Sequence, residues 1–246
     1  LGTPEGTDYW SMRKYLKQFL MDKRVVDIFR PLWWLILNGP ILTFRPSKSG
    51  KAYQKIWDKD NHGSPLRKFT INQTSKLKKI FESYKNISIE YAMRYGTPEI
   101  EKTLNKMTKK GCSKILLVPL YPQYAASTSA TVKDEVFKWM LKQRWQPDLR
   151  TIAPWFDNHN YIKALAETVK KNIINKNKLD KLIVSFHGIP KRYFMAGDPY
   201  HCHCIKSARL LKEELKWPDD KILVTFQSRF GPEPWLQPYT DETIID

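Results

Sequence analysis

The stretch from Leu182 to Pro190 reads LIVSFHGIP. Its opening part is a short apolar run with a single serine, which is typical of a strand buried on both faces of a parallel sheet. His187 follows this run at once, and the glycine and proline that come after it favour a turn. The stretch therefore predicts a buried strand over 182–186, with His187 at its carboxyl end.

Other apolar runs end in the same way, with polar and aromatic residues directly behind them. We expect strands over 88–93, 115–118 and 222–226. Because the carboxyl ends of parallel strands meet at one edge of a sheet, and ligands bind at that edge in doubly wound folds, a site is expected there. The segments that would line it are Arg94–Gly96, Pro119–Tyr124, His187–Pro190 and Gln227–Gly231.

Helical periodicity separates the predicted strands. Over 9–22 the apolar residues recur on one helical face, at Met12, Tyr15, Leu16, Phe19 and Leu20. Similar patterns predict helices over 100–110, 132–140, 157–174 and 203–216. Strands that alternate with helices indicate an α/β fold with parallel sheets. The region 147–154 is the best boundary, giving an N-terminal α/β half over 1–150 and a C-terminal, incomplete half over 151–246.

The chain is strongly basic, with 42 lysines and arginines against 25 acidic residues and a formal net charge of +17. Such a charge suits nucleic acid, anionic lipid or an acidic ligand. The lysines are scattered, however, which favours a solvated surface, and no nucleic-acid-binding motif is visible. Three cysteines are too few for a disulfide framework. We therefore expect a protein of a reducing, cytoplasmic compartment that binds no nucleic acid.

His187 has the chemistry for two roles. Imidazole titrates at about pH 6.5, so it can accept a proton at neutral pH, and its neutral form can also ligate a metal. The alternative is a histidine that only hydrogen-bonds at the start of a loop, and the local sequence leaves both open. Aromatic residues near the same edge would form flat apolar walls or pack in a core, namely Tyr95, Tyr121, Tyr124, Trp155, Phe230 and Trp235.

The run His201–Cys204 reads HCHC and looks at first like a metal cluster. Ligands this close together point in different directions on a helix or a strand, and zinc sites space their ligand pairs more widely. We interpret the run as the start of a helix instead, with Asp198 close to the positive end of the helix.

The most apolar stretch of the chain runs from Ile28 to Phe44. Arg30, Pro40 and other interruptions prevent it from forming a regular membrane-spanning helix of about 20 residues. Two interpretations stay open: a helical core segment, or an apolar lip whose paired tryptophans, Trp33 and Trp34, touch a membrane surface or guard a pocket. In the second case the protein would lie peripherally at the inner membrane.

Several longer motifs resemble those of ferrochelatases. They are LGTP (1–4), YPQY (121–124) with ST (127–128), SFHGIPKRY (185–193) with GDPY (197–200), and FQSRFGPEPWLQPYTDET (226–243). The resemblance extends from the first residue to the last and is nearest to the bacterial type that makes protohaem. It implies two Rossmann-like halves with a porphyrin cleft between them. It also implies insertion of ferrous iron into protoporphyrin IX, the last step of haem biosynthesis.

The resemblance further implies roles for single residues. His187 matches the histidine that is thought to take the pyrrole protons, for which a metal-ligand role has also been argued. Arg94 and Tyr95 match an Arg-Tyr pair on the distal side of the porphyrin, where Tyr121 and Trp155 also fall. Iron is then a substrate and no cofactor is resident.

Further positions match contacts with the porphyrin itself. The positions that match polar contacts with its propionates are Arg45, Tyr53 and Ser64. The positions that match the apolar walls around the ring are Leu1, Phe19, Val25, Pro190 and Trp235.

Two features depart from the family pattern. Ala126 stands where many members carry a cysteine ligand, so we expect no [2Fe–2S] cluster. Family members also continue beyond Asp246, and that part supplies the acidic partner of the catalytic histidine. We expect 246 residues alone to have little activity and poor stability. The alternatives are a chelatase for another metal or tetrapyrrole, such as cobalt or coproporphyrin, and a porphyrin-binding module made inactive by truncation.

Overall fold

A computed structural model describes residues 1–58, 63–173 and 179–245. They form two compact units, one built from Leu1–Leu117 and Ala126–Thr151, the other from Val118–Ala125 and Ile152–Asp246. Each unit contains a pair of parallel strands with helices between them along the chain. The α/β fold class that the sequence predicts is therefore confirmed.

The first unit opens with helix α1 (Tyr9–Leu20). The Asp8 side chain caps the helix by accepting hydrogen bonds from the backbone N–H groups of Trp10 and Ser11, both at 3.0 Å. The predicted apolar face is buried, at Met12, Tyr15, Leu16 and Leu20, and Phe19 packs beside it. The helix ends two residues before the predicted end, with Met21 as its C-cap.

The apolar stretch from Ile28 to Phe44 contains one buried and one exposed tryptophan. Trp33 is 4% exposed and its Nε1–H donates to the Leu20 carbonyl at 2.7 Å, whereas Trp34 is 51% exposed. A π-helical turn at Leu37–Ile41 kinks the chain at Gly39 and Pro40. Within the described ranges, no helix is long and apolar enough to span a membrane. The helices on either side of the turn are α2 (Arg30–Ile36) and α3 (Leu42–Gln54).

The remaining elements of the first unit build its sheet. Strand β1 (Lys114–Leu117) pairs in parallel with β2 (Asp148–Thr151). Leu104, Ile115, Val136 and Trp139 form the core beneath this pair. The helices are α4 (Pro65–Ile80), α5 (Ile100–Lys109) and α6 (Thr131–Leu141). Gly111, just behind α5, has a φ of +87°.

The strand expected over 88–93 is wrong. Residues 88–92 belong to no strand, and Met93 and Tyr95 instead form isolated bridges to Glu99 and Gly2. The apolar alternation of this segment predicts strand geometry, but a strand also needs a neighbouring strand along its length, which periodicity does not report.

The second unit is built around strands β3 (Leu182–His187) and β4 (Ile222–Gln227). They pair in parallel from Leu182 with Ile222 to His187 with Gln227, so their carboxyl ends lie side by side. The helix predicted over 157–174 begins at His159, behind an Asn158 cap, and residue 174 lies outside the described residues. The helices are α7 (His159–Asn172), α8 (Lys191–Met195), α9 (Tyr200–Leu215) and α10 (Thr240–Ile245).

Candidate functional site

His187 is the last residue of β3, and its side chain is exposed at the carboxyl end of the strand pair. Its ring Nδ1 lies 2.7 Å from the carbonyl oxygen of Gly188. A carbonyl can only accept, so Nδ1 carries the hydrogen and Nε2 keeps its lone pair in the neutral ring. The ring therefore presents a proton acceptor, or a metal ligand, in a fixed tautomer.

The turn behind His187 is held by the segment that follows β4. The Gly188 N–H donates to the Gln227 carbonyl at 2.7 Å, and Pro190 forms an antiparallel bridge with Trp235. A methyl group on Gly188 would lie 3.1 Å from the Gln227 oxygen and 3.2 Å from the Trp235 ring, so only glycine fits easily here. The structure thus brings two predicted porphyrin residues, Pro190 and Trp235, to the same turn as His187.

Tyr121 and Trp155 form a second group in the same unit. The indole Nε1–H of Trp155 donates to the Pro119 carbonyl at 3.2 Å, and its backbone N–H donates to the Pro122 carbonyl at 3.1 Å. These bonds fix the indole against the segment that carries Tyr121. The Tyr121 hydroxyl is buried and, among the described residues, has no hydrogen-bond partner. Leaving a buried hydroxyl without a partner costs free energy, so the Tyr121 hydroxyl is a candidate to hydrogen-bond a bound ligand.

The HCHC run lies in the first turns of α9, which confirms its interpretation as a helix start. His203 Nδ1 accepts the Tyr124 backbone N–H at 3.1 Å, and its ring stacks on Phe156 at 3.7 Å. Burial lowers the pKa of His203 and raises the pKa of Cys204 to about 12, so both are neutral at pH 7. In the described ranges, no group of three or more His, Cys, Asp or Glu side chains is placed to hold a metal ion.

Arg94 and Tyr95 belong to the first unit, where they share the carboxylate of Asp22. Asp22 Oδ2 accepts hydrogen bonds from Arg94 Nη2, from the Thr131 hydroxyl and, at 2.8 Å, from the Tyr95 hydroxyl. Arg94 Nη2 also lies 3.3 Å from Glu135 Oε1. The Asp22 side chain is only 6% exposed and that of Arg94 13%. The result is a buried ionic network that fixes the Arg94 guanidinium.

The pKa values in this network follow from its geometry. Burial alone would raise the pKa of Asp22, but hydrogen bonds from Thr131, the Arg24 backbone and Tyr95, with the charge of Arg94, outweigh burial and hold it below its usual value. Burial and the nearby Asp22 carboxylate raise the pKa of the Tyr95 hydroxyl. At neutral pH the network therefore contains an ionised aspartate, a charged arginine and a neutral tyrosine.

Most of the other predicted residues of the first unit gather around Tyr95. Phe19 packs edge-on to the Tyr95 ring at 5.2 Å, and the Leu1 carbonyl accepts the Tyr95 backbone N–H at 3.1 Å. Val25 and Tyr53 pack against the same apolar core. Two predicted residues lie apart from this group: Arg45 is exposed on α3, and Ser64 is buried as the N-cap of α4.

Sequence reasoning missed Asp22 and Thr131, which hold the Arg94–Tyr95 pair in place. Asp22 stands in the run Asp-Lys-Arg, which reads as an ordinary solvated stretch behind a helix. Thr131 stands 109 residues away from Asp22 along the chain. A lone aspartate directly behind an amphipathic helix was the only signal in the sequence.

Comparison of the amino-acid sequence with known proteins assigns the chain to a family. A model of the ferrochelatase family matches residues 1–246. Ferrochelatases of Allorhizobium ampelinum and Rhizobium meliloti are 54% and 52% identical over 245 residues, which is 99% of this chain and 71% and 72% of theirs. The ferrochelatase of Brucella ovis is 46% identical over 99% of this chain and 70% of its own.

Among solved structures, SirB from Bacillus subtilis with Fe3+ is similar to this chain with a TM-score of 0.49 and 18% identity. The similarity covers 70% of this chain and 65% of that one. It is too weak to add to the assignment, which rests on the family model and on the relatives of about 50% identity. On that evidence, the chain belongs to the ferrochelatase family.

Proposed function

We propose that this protein is a ferro-lyase that inserts Fe²⁺ into protoporphyrin IX and so completes protohaem. The observation that carries this proposal is His187, a histidine exposed at a strand end whose Nδ1 is bound to a carbonyl and whose Nε2 is free to accept a proton. Membership of the ferrochelatase family supplies the reaction in which such a base is needed. We further propose that the chain consists of an N-terminal half over 1–150 and a C-terminal half over 151–246, from which the short segment Val118–Ala125 departs by belonging to the second compact unit.

His187 would act as the base that removes the pyrrole protons of the porphyrin. Metallation replaces the two pyrrole N–H hydrogens of the porphyrin by one Fe²⁺, so both protons must leave. Nε2 accepts one proton at a time, and because the ring is exposed it can pass each proton to solvent. The Nδ1–H donates to the Gly188 carbonyl whether or not Nε2 is protonated, so the ring keeps its orientation while Nε2 gains and loses each proton. Nε2 could instead ligate iron on its way into the ring.

The porphyrin would be held by flat apolar groups and by cations. Rigid walls can bend the macrocycle and expose its nitrogen lone pairs, using binding energy from the rest of the ring. Pro190 and Trp235 support this role because a backbone bridge fixes them at the turn of His187. The full set that we propose is Leu1, Phe19, Val25, Arg45, Tyr53, Ser64, Arg94, Tyr95, Tyr121, Trp155, Pro190 and Trp235.

The reaction is tested by assaying the purified full-length protein with several combinations of metal and porphyrin. Initial rates with Fe²⁺, Zn²⁺ and Co²⁺ are measured with protoporphyrin and with coproporphyrin, under anaerobic conditions. The proposal predicts protohaem formation from Fe²⁺ and protoporphyrin. A clear preference for Co²⁺ or for coproporphyrin would favour the alternative chelatase. Porphyrin fluorescence quenching without metal insertion would show a binding module.

We also propose that the protein holds no iron–sulfur cluster and treats iron as a substrate only. Ala126, in the π-helical turn Ala126–Ala130, has no side chain that can ligate iron. Acid-labile sulfide in the anaerobically purified protein tests this directly. Sulfide near two equivalents per chain, together with the visible absorption of a [2Fe–2S] centre, would contradict the proposal.

Peripheral contact with an anionic membrane is proposed for the surface that α2 exposes. Phe29, Leu32, Trp34 and Leu35 are each at least half exposed there, and tryptophan beside arginine is typical of a membrane interface. Flotation with vesicles rich in anionic lipid tests the contact. Trp34→Ala should reduce binding by about fivefold or more. The control Trp145→Ala removes a similarly exposed tryptophan elsewhere and should have no effect. Equal binding by both variants would exclude this surface.

A further inference from the structure

The first half of α9 contacts two other segments of the second unit. His203 accepts the Tyr124 backbone N–H through Nδ1 at 3.1 Å. Its ring stacks on the Phe156 ring, with centroids 3.7 Å apart and 11° between the ring planes. Tyr124 lies three residues behind Tyr121, and Phe156 directly follows Trp155. The side chain of His203 therefore contacts both of the segments that carry these two proposed porphyrin residues.

A second contact, one helical turn further along α9, joins the same two segments. Ser207 is 2% exposed, its hydroxyl donates to the Phe156 carbonyl at 2.8 Å, and it accepts from Gln123 Nε2 at 2.9 Å. The segments also bind each other, because the Trp155 backbone N–H donates to the Pro122 carbonyl at 3.1 Å. A displacement of one segment from α9 would therefore disturb the other segment as well.

The hydrogen bond from Tyr124 depends on the protonation state of His203. Nδ1 accepts only while it carries no hydrogen, so the neutral ring holds its hydrogen on Nε2. Protonation would place a second N–H at Nδ1, directly opposite the Tyr124 N–H, and two donors cannot bind each other. The neutral ring therefore holds this segment, and the charged ring would repel it.

The charged groups around His203 act in opposite directions. Burial has the largest effect and lowers the pKa of His203, the carboxylates of Asp157 and Asp198 raise it, and the Lys206 ammonium lowers it. Lys206 Nζ lies 2.7 Å from Asp157 Oδ2, which weakens the pull of that carboxylate on the ring. The segment 119–124 contributes no charged side chain. The pKa of His203 therefore stays below its ordinary value of about 6.5.

We propose that His203 is a positioning residue for porphyrin binding: its neutral ring holds Tyr121 and Trp155 in the arrangement that binds the ligand, and its charged ring releases them. The role rests on the proposed function, which supplies the porphyrin. His203 acts through the two segments and takes no part in proton transfer to or from the substrate. The apparent affinity of a ligand falls with the fraction of protein that is correctly arranged. Porphyrin affinity should therefore be complete while His203 is neutral and decrease as the pH falls through the pKa of His203.

Two substitutions separate the acceptor of His203 from its ring. His203→Asn places an amide oxygen as many bonds from the backbone as Nδ1, so it keeps an acceptor but cannot be protonated. His203→Phe keeps a ring that can stack on Phe156 and has no acceptor. The control His159→Asn changes an exposed histidine at the start of α7. Dissociation constants for protoporphyrin IX are measured by fluorescence quenching with each full-length protein, from about pH 5.5 to about pH 8.

Wild type should bind protoporphyrin IX about threefold to tenfold less tightly at the acid end, which is the effect of losing one neutral hydrogen bond. His203→Phe should already show this loss at the alkaline end. His203→Asn should bind as wild type does at the alkaline end and lose less affinity in acid. His159→Asn should follow wild type at every pH. Any effect of His187 titration is common to all four proteins, so the difference between them reports on His203.

Kinetics at the alkaline end distinguish positioning from chemistry. His203→Phe should raise KM for protoporphyrin and leave kcat for iron insertion within about threefold of wild type, because His187 is unchanged. A large fall in kcat with an unchanged dissociation constant would overturn the proposal, since His203 would then act in the reaction itself.

Three further results would also overturn it. They are an equal acid loss in wild type and His203→Asn, wild-type affinity of His203→Phe at the alkaline end, and an absence of any acid loss in wild type. If a melting curve shows that His203→Phe does not fold, the comparison of wild type with His203→Asn decides alone. A wild type that binds no porphyrin at any pH would contradict the proposed function, and the role of His203 with it.

Discussion

Replacing Asp22 with asparagine should destabilise the first unit strongly. The carboxylate is 6% exposed and receives hydrogen bonds from Arg94, Tyr95, Thr131 and the backbone N–H of Arg24. Asparagine keeps one acceptor oxygen, turns the other into a donor and removes the charge that faces Arg94. The variant therefore leaves a largely buried guanidinium without its main counter-charge.

The magnitude follows from the burial of the pair. Removing one partner of a buried ion pair costs about 3–5 kcal/mol. Arg94 keeps Glu135 at 3.3 Å, which favours the lower end of that range. We expect Asp22→Asn to lower the free energy of unfolding by about 3 kcal/mol, and the melting temperature by about 6–12 °C for a chain of this length. Urea unfolding followed by circular dichroism measures the first quantity, and a thermal melt measures the second.

Asp134→Asn is the matched control, because Asp134 pairs with Arg24 at 2.8 Å while both side chains are substantially exposed. This control should lower the free energy of unfolding by less than about 1 kcal/mol.

The pKa of Asp22 lies below its usual value in the folded state. The contribution of the Asp22 carboxylate to the free energy of unfolding is therefore complete above the unfolded pKa of about 3.9, and it is lost as the pH falls through the folded pKa. The difference between wild type and Asp22→Asn should therefore shrink below about pH 4. A difference at neutral pH no larger than that of the control would refute this account of the network.

Two further pairs of variants test the fold. Trp33→Ala should lower the free energy of unfolding in urea by about 3–5 kcal/mol, and Trp34→Ala by less than about 1 kcal/mol, because only the first indole is buried. Similar losses for the two variants would contradict the orientation of α2. Gly96→Ala should destabilise more than Gly111→Ala, since both have positive φ but only the Gly96 methyl would meet the Thr3 carbonyl, at 2.3 Å. Equal melting temperatures for these two variants would show that the close approach to Thr3 is absent.

The sequence predicts those structural features that depend only on residues within one helix or one strand. The buried face of α1 follows from the spacing of Met12, Tyr15, Leu16 and Leu20, and the position of His187 follows from the apolar run in front of it. Local patterns of this kind depend on neighbours within one helix or strand. They need no knowledge of the rest of the chain.

Features that depend on distant partners could not be predicted in this way. Asp22 meets Tyr95 across 73 residues and Thr131 across 109, so its burial is a property of the assembled unit. The segment 88–93 has strand-like composition but gains only isolated bridges. In the run Trp33-Trp34, composition shows that the pair is apolar, and only packing decides that the first indole is buried and the second exposed.

The most direct test of the central claim is the initial rate of Fe²⁺ insertion into protoporphyrin IX by His187→Ala. General acid–base catalysis contributes about 10²–10⁴-fold to a rate, and we predict a loss of that size with porphyrin binding unchanged. His159→Ala, which removes an exposed histidine at the start of α7, should keep the wild-type rate. A His187→Ala rate within about threefold of wild type would contradict the assignment of His187 as the base.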